Sequence, residues 1–245
     1  LLLRLERTKY EMSARNAPKA TIEPGWGVAK AKLMGADAVK LLAQFEPTEP
    51  ESADANFALV EKVYDECRRH DILLLLEAVA FPFDGETKKD DSFLDRKAET
   101  VIESARVLSR YCDIYKAEFP GTLGRESDQQ LEDNLLALDA VSERPWVLLS
   151  AGVDFDDYLV QVEMALGAGA SGVLGGRAFW KEYFEQGDAA SREAFLAGIA
   201  RKRLAQVDEL VRAEGTPWFS RYGFVAEDLR AVRAVEGWHF RSPAG

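Results

Sequence analysis

The stretch ILLLLEAVAF, residues 72–81, decides the fold. It is apolar at every position but Glu77, contains no Gly or Pro, and has the length of a strand. A nearly continuous apolar run of this size suits a strand of a parallel sheet buried on both faces. Working outward, residues 56–70 place Phe57, Val60, Val63 and Tyr64 near helical spacing, which predicts a helix before the strand. Ala98, Val101, Ile102, Ala105 and Leu108 mark the face of another helix after it. The same alternation extends in both directions. AVKLLA (38–43), DIYKAEF (113–119), WVLLSA (146–151), SGVLG (171–175) and the opening LLLRLE (1–6) read as further strands. Helices are expected at 27–34, at 127–141, behind a cap at Asp154 with a face of Phe155, Leu159, Val162 and Leu166, and along 188–213.

Strand and helix in strict alternation argue for stacked βα units. Lys40, Glu77, Lys116, Ser150 and Gly175 recur at the spacing of such units. The pattern favours an α/β fold of the (β/α)8 TIM-barrel type over a doubly wound open sheet, whose GxGxxG turn is absent after the early strands. Six strands can be counted where a closed barrel has eight. Together with Leu1 in place of an initiating Met, this predicts an N-terminally truncated barrel. The expected organisation is a (β/α) barrel domain over 1–185, holding strands three to eight, and a helical C-terminal extension over 186–245 packed on it.

The composition narrows the function. The chain has 245 residues, 47% of them hydrophobic and 30% charged, with a formal net charge of −11. So acidic a chain lacks the electrostatic footprint for gripping nucleic-acid phosphates. No apolar stretch approaches the ~20 residues of a membrane span, and no charged start leads into a signal-like segment. Cys67 and Cys112 have no metal-type spacing and read as reduced, part-buried thiols of a cytoplasmic protein. With only His70 and His239, a zinc centre or a His-based triad is not expected.

Three ionisable residues interrupt apolar strands: Lys40 in AVKLL, Glu77 in LLLLEAVAF and Lys116 in DIYKAEF. They fall on consecutive strands, which a barrel points into one mouth. Taken singly, each lysine suits an exposed edge or a snorkelling stem, and Glu77 suits a structural ion pair. Taken together they also suit chemistry. A lysine in an apolar site beside another cation loses its proton readily, attacks a carbonyl and forms a Schiff base, while a carboxylate moves protons. Glu118, two residues after Lys116, is expected as a structural partner or a second proton carrier. At the last two strand ends, Ser150-Ala151-Gly152 and Gly175-Gly176-Arg177 allow close backbone approach and a guanidinium clamp, the makings of a phosphate site.

In order along the chain, LLLRLERTKYE, GADAVKLLAQFEP, ILLLLEAVAF, DIYKAEFPG, WVLLSAGV and GVLGGRAFW resemble segments of the class I tagatose 1,6-bisphosphate aldolase family over most of residues 1–185. The resemblance implies catalytic roles for Lys116, as the Schiff-base lysine, and Glu77, as the acid/base. It implies substrate contacts for Lys40, Ser150 and Arg177, to which the glycines Gly152 and Gly176 add backbone. It implies cleavage of a ketose 1,6-bisphosphate to dihydroxyacetone phosphate and glyceraldehyde 3-phosphate. The intermediate is covalent, with no metal or other cofactor, and the partner is a phosphorylated ketose, not nucleic acid or membrane. A homo-oligomer is left open. Two alternatives stand beside it: a 6-deoxy-6-sulfofructose 1-phosphate aldolase, and a phosphosugar-binding protein without catalysis. The chain departs from the family in lacking its first two strand motifs and in reading Gln44-Phe45-Glu46 where relatives often read YYD.

Overall fold

The computed structural model describes residues 1–231. His239 and the rest of 232–245 lie outside the described residues. In chain order the elements are strand β1 (Leu2–Arg4), a short hairpin of β2 (Glu11–Met12) and β3 (Pro18–Lys19), α1 (Val28–Leu33), β4 (Ala38–Gln44), α2 (Pro50–Arg69), β5 (Leu73–Val79), α3 (Asp91–Leu108), β6 (Ile114–Ala117), α4 (Asp128–Val141), β7 (Trp146–Leu149), α5 (Phe155–Gly167), β8 (Gly172–Leu174), α6 (Arg177–Trp180), α7 (Ala189–Phe195), α8 (Arg201–Glu214) and α9 (Ala226–Ala231). Among the described residues six parallel strands form one curled sheet in the order β1-β4-β5-β6-β7-β8. Helices pack on it, as in the α/β barrel type. The antiparallel hairpin of β2 and β3 was not visible as periodicity, because two-residue strands are too short to show any.

The sheet's two faces differ. Val39, Leu41 and Ala43 of β4, Leu74, Leu76 and Ala78 of β5, Tyr115 and Ala117 of β6, and Trp146 and Leu148 of β7 are buried against the helices. The alternate positions line the concave face. There β4 shows half-buried Ala38, Lys40, Leu42 and Gln44. The apolar runs therefore do not mean equal burial on both sides; the inner face stays partly open, which leaves room for charged groups. The helix side carries the core, with Val60 and Val63 of α2, Ala105 and Leu108 of α3, Leu131, Leu135 and Leu138 of α4, and Tyr158 and Val162 of α5.

Local chemistry sets the helix ends. Helix α2 begins six residues before the predicted start, because Pro50 at its first turn fits a helix whose early N–H groups have no partner. Asn56, read as the start, is instead a fully buried clamp inside α2. Its amide donates to the Pro18 and Gln44 carbonyls at 2.9 and 2.8 Å, and its oxygen accepts from the Ala20 N–H at 2.8 Å. It thereby ties the hairpin to the end of β4. Helix α4 starts with a reciprocal box between Ser127 and Gln130. Asp154 is the N-cap residue of α5, yet its carboxylate makes no capping hydrogen bond; it pairs with Lys181. Between α7 and α8 the helix continues through a π-type turn, Leu196–Ala200. Phe195, Ala200 and Val207 are buried, and Arg203 holds both oxygens of Glu182 at 2.8 Å. The free thiols of Cys67 and Cys112 are buried, and burial pushes Cys67 up to about 12.

Candidate active site

Parallel pairing sets Glu77 of β5 opposite Lys116 of β6, and Leu42 of β4 opposite Glu77. Lys40 therefore starts two residues further back, and its four-carbon stem makes up the difference. The result is a chain of charge on the inner face. Glu77 Oε1 lies 3.2 Å from Lys116 Nζ, and Glu77 Oε2 lies 2.8 Å from Lys40 Nζ. Lys40 Nζ also reaches Glu6 Oε1 at 3.2 Å. The side chains of Lys40, Glu77 and Lys116 are 15%, 11% and 12% exposed, and that of Glu6 only 3%.

Burial holds the Lys116 ammonium below its ordinary value, and the charge of Lys40 pushes the same way. Glu77 and Glu6 oppose the shift without cancelling it. Lys116 thus reaches its neutral, nucleophilic form more easily than a solvated lysine does. Tyr10, half-buried nearby, is pushed up to about 12 by burial and by the charges of Glu6 and Glu77, so it stays a phenol. Glu118 forms no ion pair with Lys116 among the described residues. Its Oε2 accepts the Ala80 N–H at 2.6 Å, and burial raises its carboxyl above the usual range.

A cavity of about 330 Å³ opens over this array. Glu77, Lys116 and Glu118 line one side, and Ser150, Gly176 and Arg177 the other, with Leu149, Leu174 and Trp180 as apolar wall. Ser150 Oγ accepts from the Gly176 N–H at 3.3 Å, joining the last two strand ends. Arg177 Nη2 donates to the Ala151 carbonyl at 3.3 Å. Gly152 has φ +84°, and a Cβ built on it would stand 3.0 Å from Arg177 Cζ. The left-handed backbone favours glycine here, and a larger residue would press on the Arg177 guanidinium. Of the seven residues singled out in the sequence, five line the cavity. Lys40 and Gly152 do not; Lys40 sits against Glu77, and Gly152 against Arg177.

Two contributors went unnoticed in the sequence. Glu6 closes the run LLLRLE, so a charge at the end of an apolar strand was its available signal. Lys88 sits in the loop after β5, where nothing in the local pattern distinguishes it from other surface lysines.

An amine prone to lose its proton, a carboxylate against it, and a serine, a glycine and an arginine across the cavity at the strand ends of a parallel sheet suit one class of protein: a barrel-type enzyme directed at carbonyl compounds. Comparison with known proteins carries this further. The DeoC/LacD family aldolase model matches residues 1–182, and the chain belongs to that family. It is 31% identical to tagatose 1,6-diphosphate aldolase 1 of Streptococcus mutans, over 90% of this chain and 74% of that protein. It is 28% identical to the tagatose 1,6-diphosphate aldolase of Staphylococcus epidermidis, over 89% and 73%. A Schiff-base-forming fructose-1,6-bisphosphate aldolase has the same fold with a TM-score of 0.58 at 22% identity, covering 84% of this chain and 71% of that one. The Plasmodium falciparum fructose-bisphosphate aldolase overlays with a TM-score of 0.64 at 8% identity, covering 88% and 69%. The protein is an aldolase, a carbon–carbon lyase.

Proposed function

We propose that the protein is a class I aldolase that cleaves a ketose 1,6-bisphosphate of the tagatose type to dihydroxyacetone phosphate and glyceraldehyde 3-phosphate. The observation that carries the reading is Glu77 held between Lys116 and Lys40 at the floor of a cavity whose far side bears Ser150, Gly176 and Arg177. The names of the relatives support the substrate class.

The neutral Lys116 amine attacks the ketose C2 carbonyl, and loss of water leaves an iminium ion. Glu77 takes the proton of the C4 hydroxyl. The C3–C4 bond breaks, its electron pair passes into the iminium to give an enamine, and the aldehyde leaves. A proton returned to C3 and addition of water release dihydroxyacetone phosphate and restore the amine. The iminium formed on Lys116 serves as the electron sink, so no external cofactor is part of this scheme. Ser150, Gly176 and Arg177 hold the C1 phosphate, with Gly152 giving the guanidinium its space. Lys40 acts on Lys116 through charge and orients Glu77. In domain terms, residues 1–185 carry this site, and the helices of 186–231 buttress it.

The direct test is borohydride reduction in the presence of dihydroxyacetone phosphate, followed by peptide mass spectrometry. An adduct on Lys116 is expected. A folded, unlabelled protein would refute the class I reading and leave a phosphosugar-binding role.

Two further outcomes follow from the geometry. Lys40→Met removes the neighbouring cation that helps keep Lys116 acidic. The pKa of Lys116 therefore rises, and the pH profile of adduct formation moves to higher pH. An unmoved profile would mean Lys40 does not act on Lys116. Gly152→Ala strains a left-handed backbone and crowds Arg177. A loss of about 1 kcal/mol in stability is expected by chemical denaturation, with weaker protection of the fold by inorganic phosphate.

A further inference from the structure

We infer that Lys88 receives the distal anionic group of the ketose, a phosphate or a sulfonate, and so discriminates charged-tail from neutral-tail substrates. The inference rests on the aldolase reading above and goes beyond it.

A second cavity, of about 380 Å³, is lined by Tyr10, Asn16, Gln44, Phe83 and Lys88, with Asp84 and Glu86 at its loop side. It shares a single lining residue, Lys88, with the cavity that holds Lys116. A ketose bound as an iminium at C2, with its C1 phosphate at Arg177, must send C4 to C6 away from Arg177. An anion at that end needs a cation of its own. The other lysines are committed, Lys116 to the covalent bond and to Glu77, and Lys40 to Glu6 and Glu77. Lys88 is the one basic residue lining the second cavity, and among the described residues it is in no ion pair.

Three acids stand around it: Glu118 lines the first cavity with Lys88, feels its charge and accepts the Ala80 N–H at 2.6 Å, and the two acids of the second cavity are engaged elsewhere. Glu86 is 2.7 Å from Arg96, and Asp84 accepts from the Asn16 amide at 3.0 Å. The loop that carries Lys88 is also held in shape. Arg96 stacks 3.8 Å from the Phe83 ring centroid and donates to the Phe81 carbonyl at 3.1 Å. Glu86 accepts the Phe83 N–H at 2.9 Å, and Asp90 accepts the Thr87 N–H at 2.7 Å. A cation presented on a fixed loop binds an anion with little ordering cost.

The test compares three ketose 1-phosphates that differ only at C6, carrying a phosphate, a sulfonate or a hydroxyl. Kinetics are measured on the unaltered enzyme, Lys88→Met and Lys88→Arg. Lys88→Met is expected to reduce the preference in kcat/KM for a charged over a neutral tail by about tenfold, chiefly through KM, and Lys88→Arg to restore most of it. The preference of the unaltered enzyme should fall as salt is raised. Equal loss on all three substrates, or no change in the preference, would overturn the inference. The relative KM of the phosphate and sulfonate substrates identifies which tail Lys88 serves. The dihydroxyacetone phosphate adduct on Lys116 needs no distal anion, so it tests the aldolase reading separately.

Discussion

Lys116→Met is expected to abolish the borohydride-trapped adduct and to lower ketose-bisphosphate cleavage by about 10⁴-fold or more, because it removes the nucleophile and with it the electron sink. The substitution should leave the fold intact. Methionine fills a similar volume, and Glu77 keeps Lys40 at 2.8 Å as its counter-charge. Circular dichroism and an unchanged denaturation midpoint within ~1 kcal/mol would show this. Retained cleavage in the purified variant would sink the assignment of Lys116, since no other lysine both lines the cavity and contacts Glu77 among the described residues.

Glu77→Gln is the second large effect. A proton carrier placed in the reaction path accounts for roughly 10²–10⁴-fold, and a loss in kcat of that size is expected with little change in KM. The variant also carries a sign that a merely structural role would not produce. Glu77 raises the Lys116 pKa through its charge and its hydrogen bond, whereas burial and Lys40 lower it. Removing the charge leaves only Glu6 to oppose the lowering influences, so Lys116 deprotonates at lower pH. The pH profile of adduct formation therefore moves down, opposite to the shift expected for Lys40→Met. The variant should lose some stability, because Lys116 is left buried without its counter-charge, while Lys40 retains Glu6. Adduct formation with an unmoved profile and an unimpaired kcat would exclude Glu77 from both roles.

In the proposed scheme both substitutions touch the chemistry and leave the binding side in place, because the cavity is divided. Lys116 and Glu77 occupy its floor, and Ser150, Gly176 and Arg177 stand across it on the last two strand ends. The placement follows from the parallel sheet. Every strand ends at the same rim, so residues far apart in the chain meet there without long loops to carry them.

The sequence by itself determined the strand–helix alternation and six of the strands. A run such as ILLLLEAVAF has the length and apolar content of a buried strand, and the segments between such runs read as helices. It also exposed Lys40, Glu77 and Lys116, since a charge inside an apolar strand stands out against its neighbours. Tertiary structure decided how those charges pair. Register sets Glu77 opposite Lys116 but two residues ahead of Lys40, and only side-chain reach closes the pair. Glu6 joined the array because β1 lies beside β4, which no local pattern states. Asp154 gave up the capping role its position suggested because Lys181 approaches it from the next βα unit. Lys88 became a candidate only when its loop was folded over the cavity. Local chemistry is written along the chain, whereas charge pairing and cavity lining depend on distances between segments that are remote in sequence, and those exist only once the strands have paired.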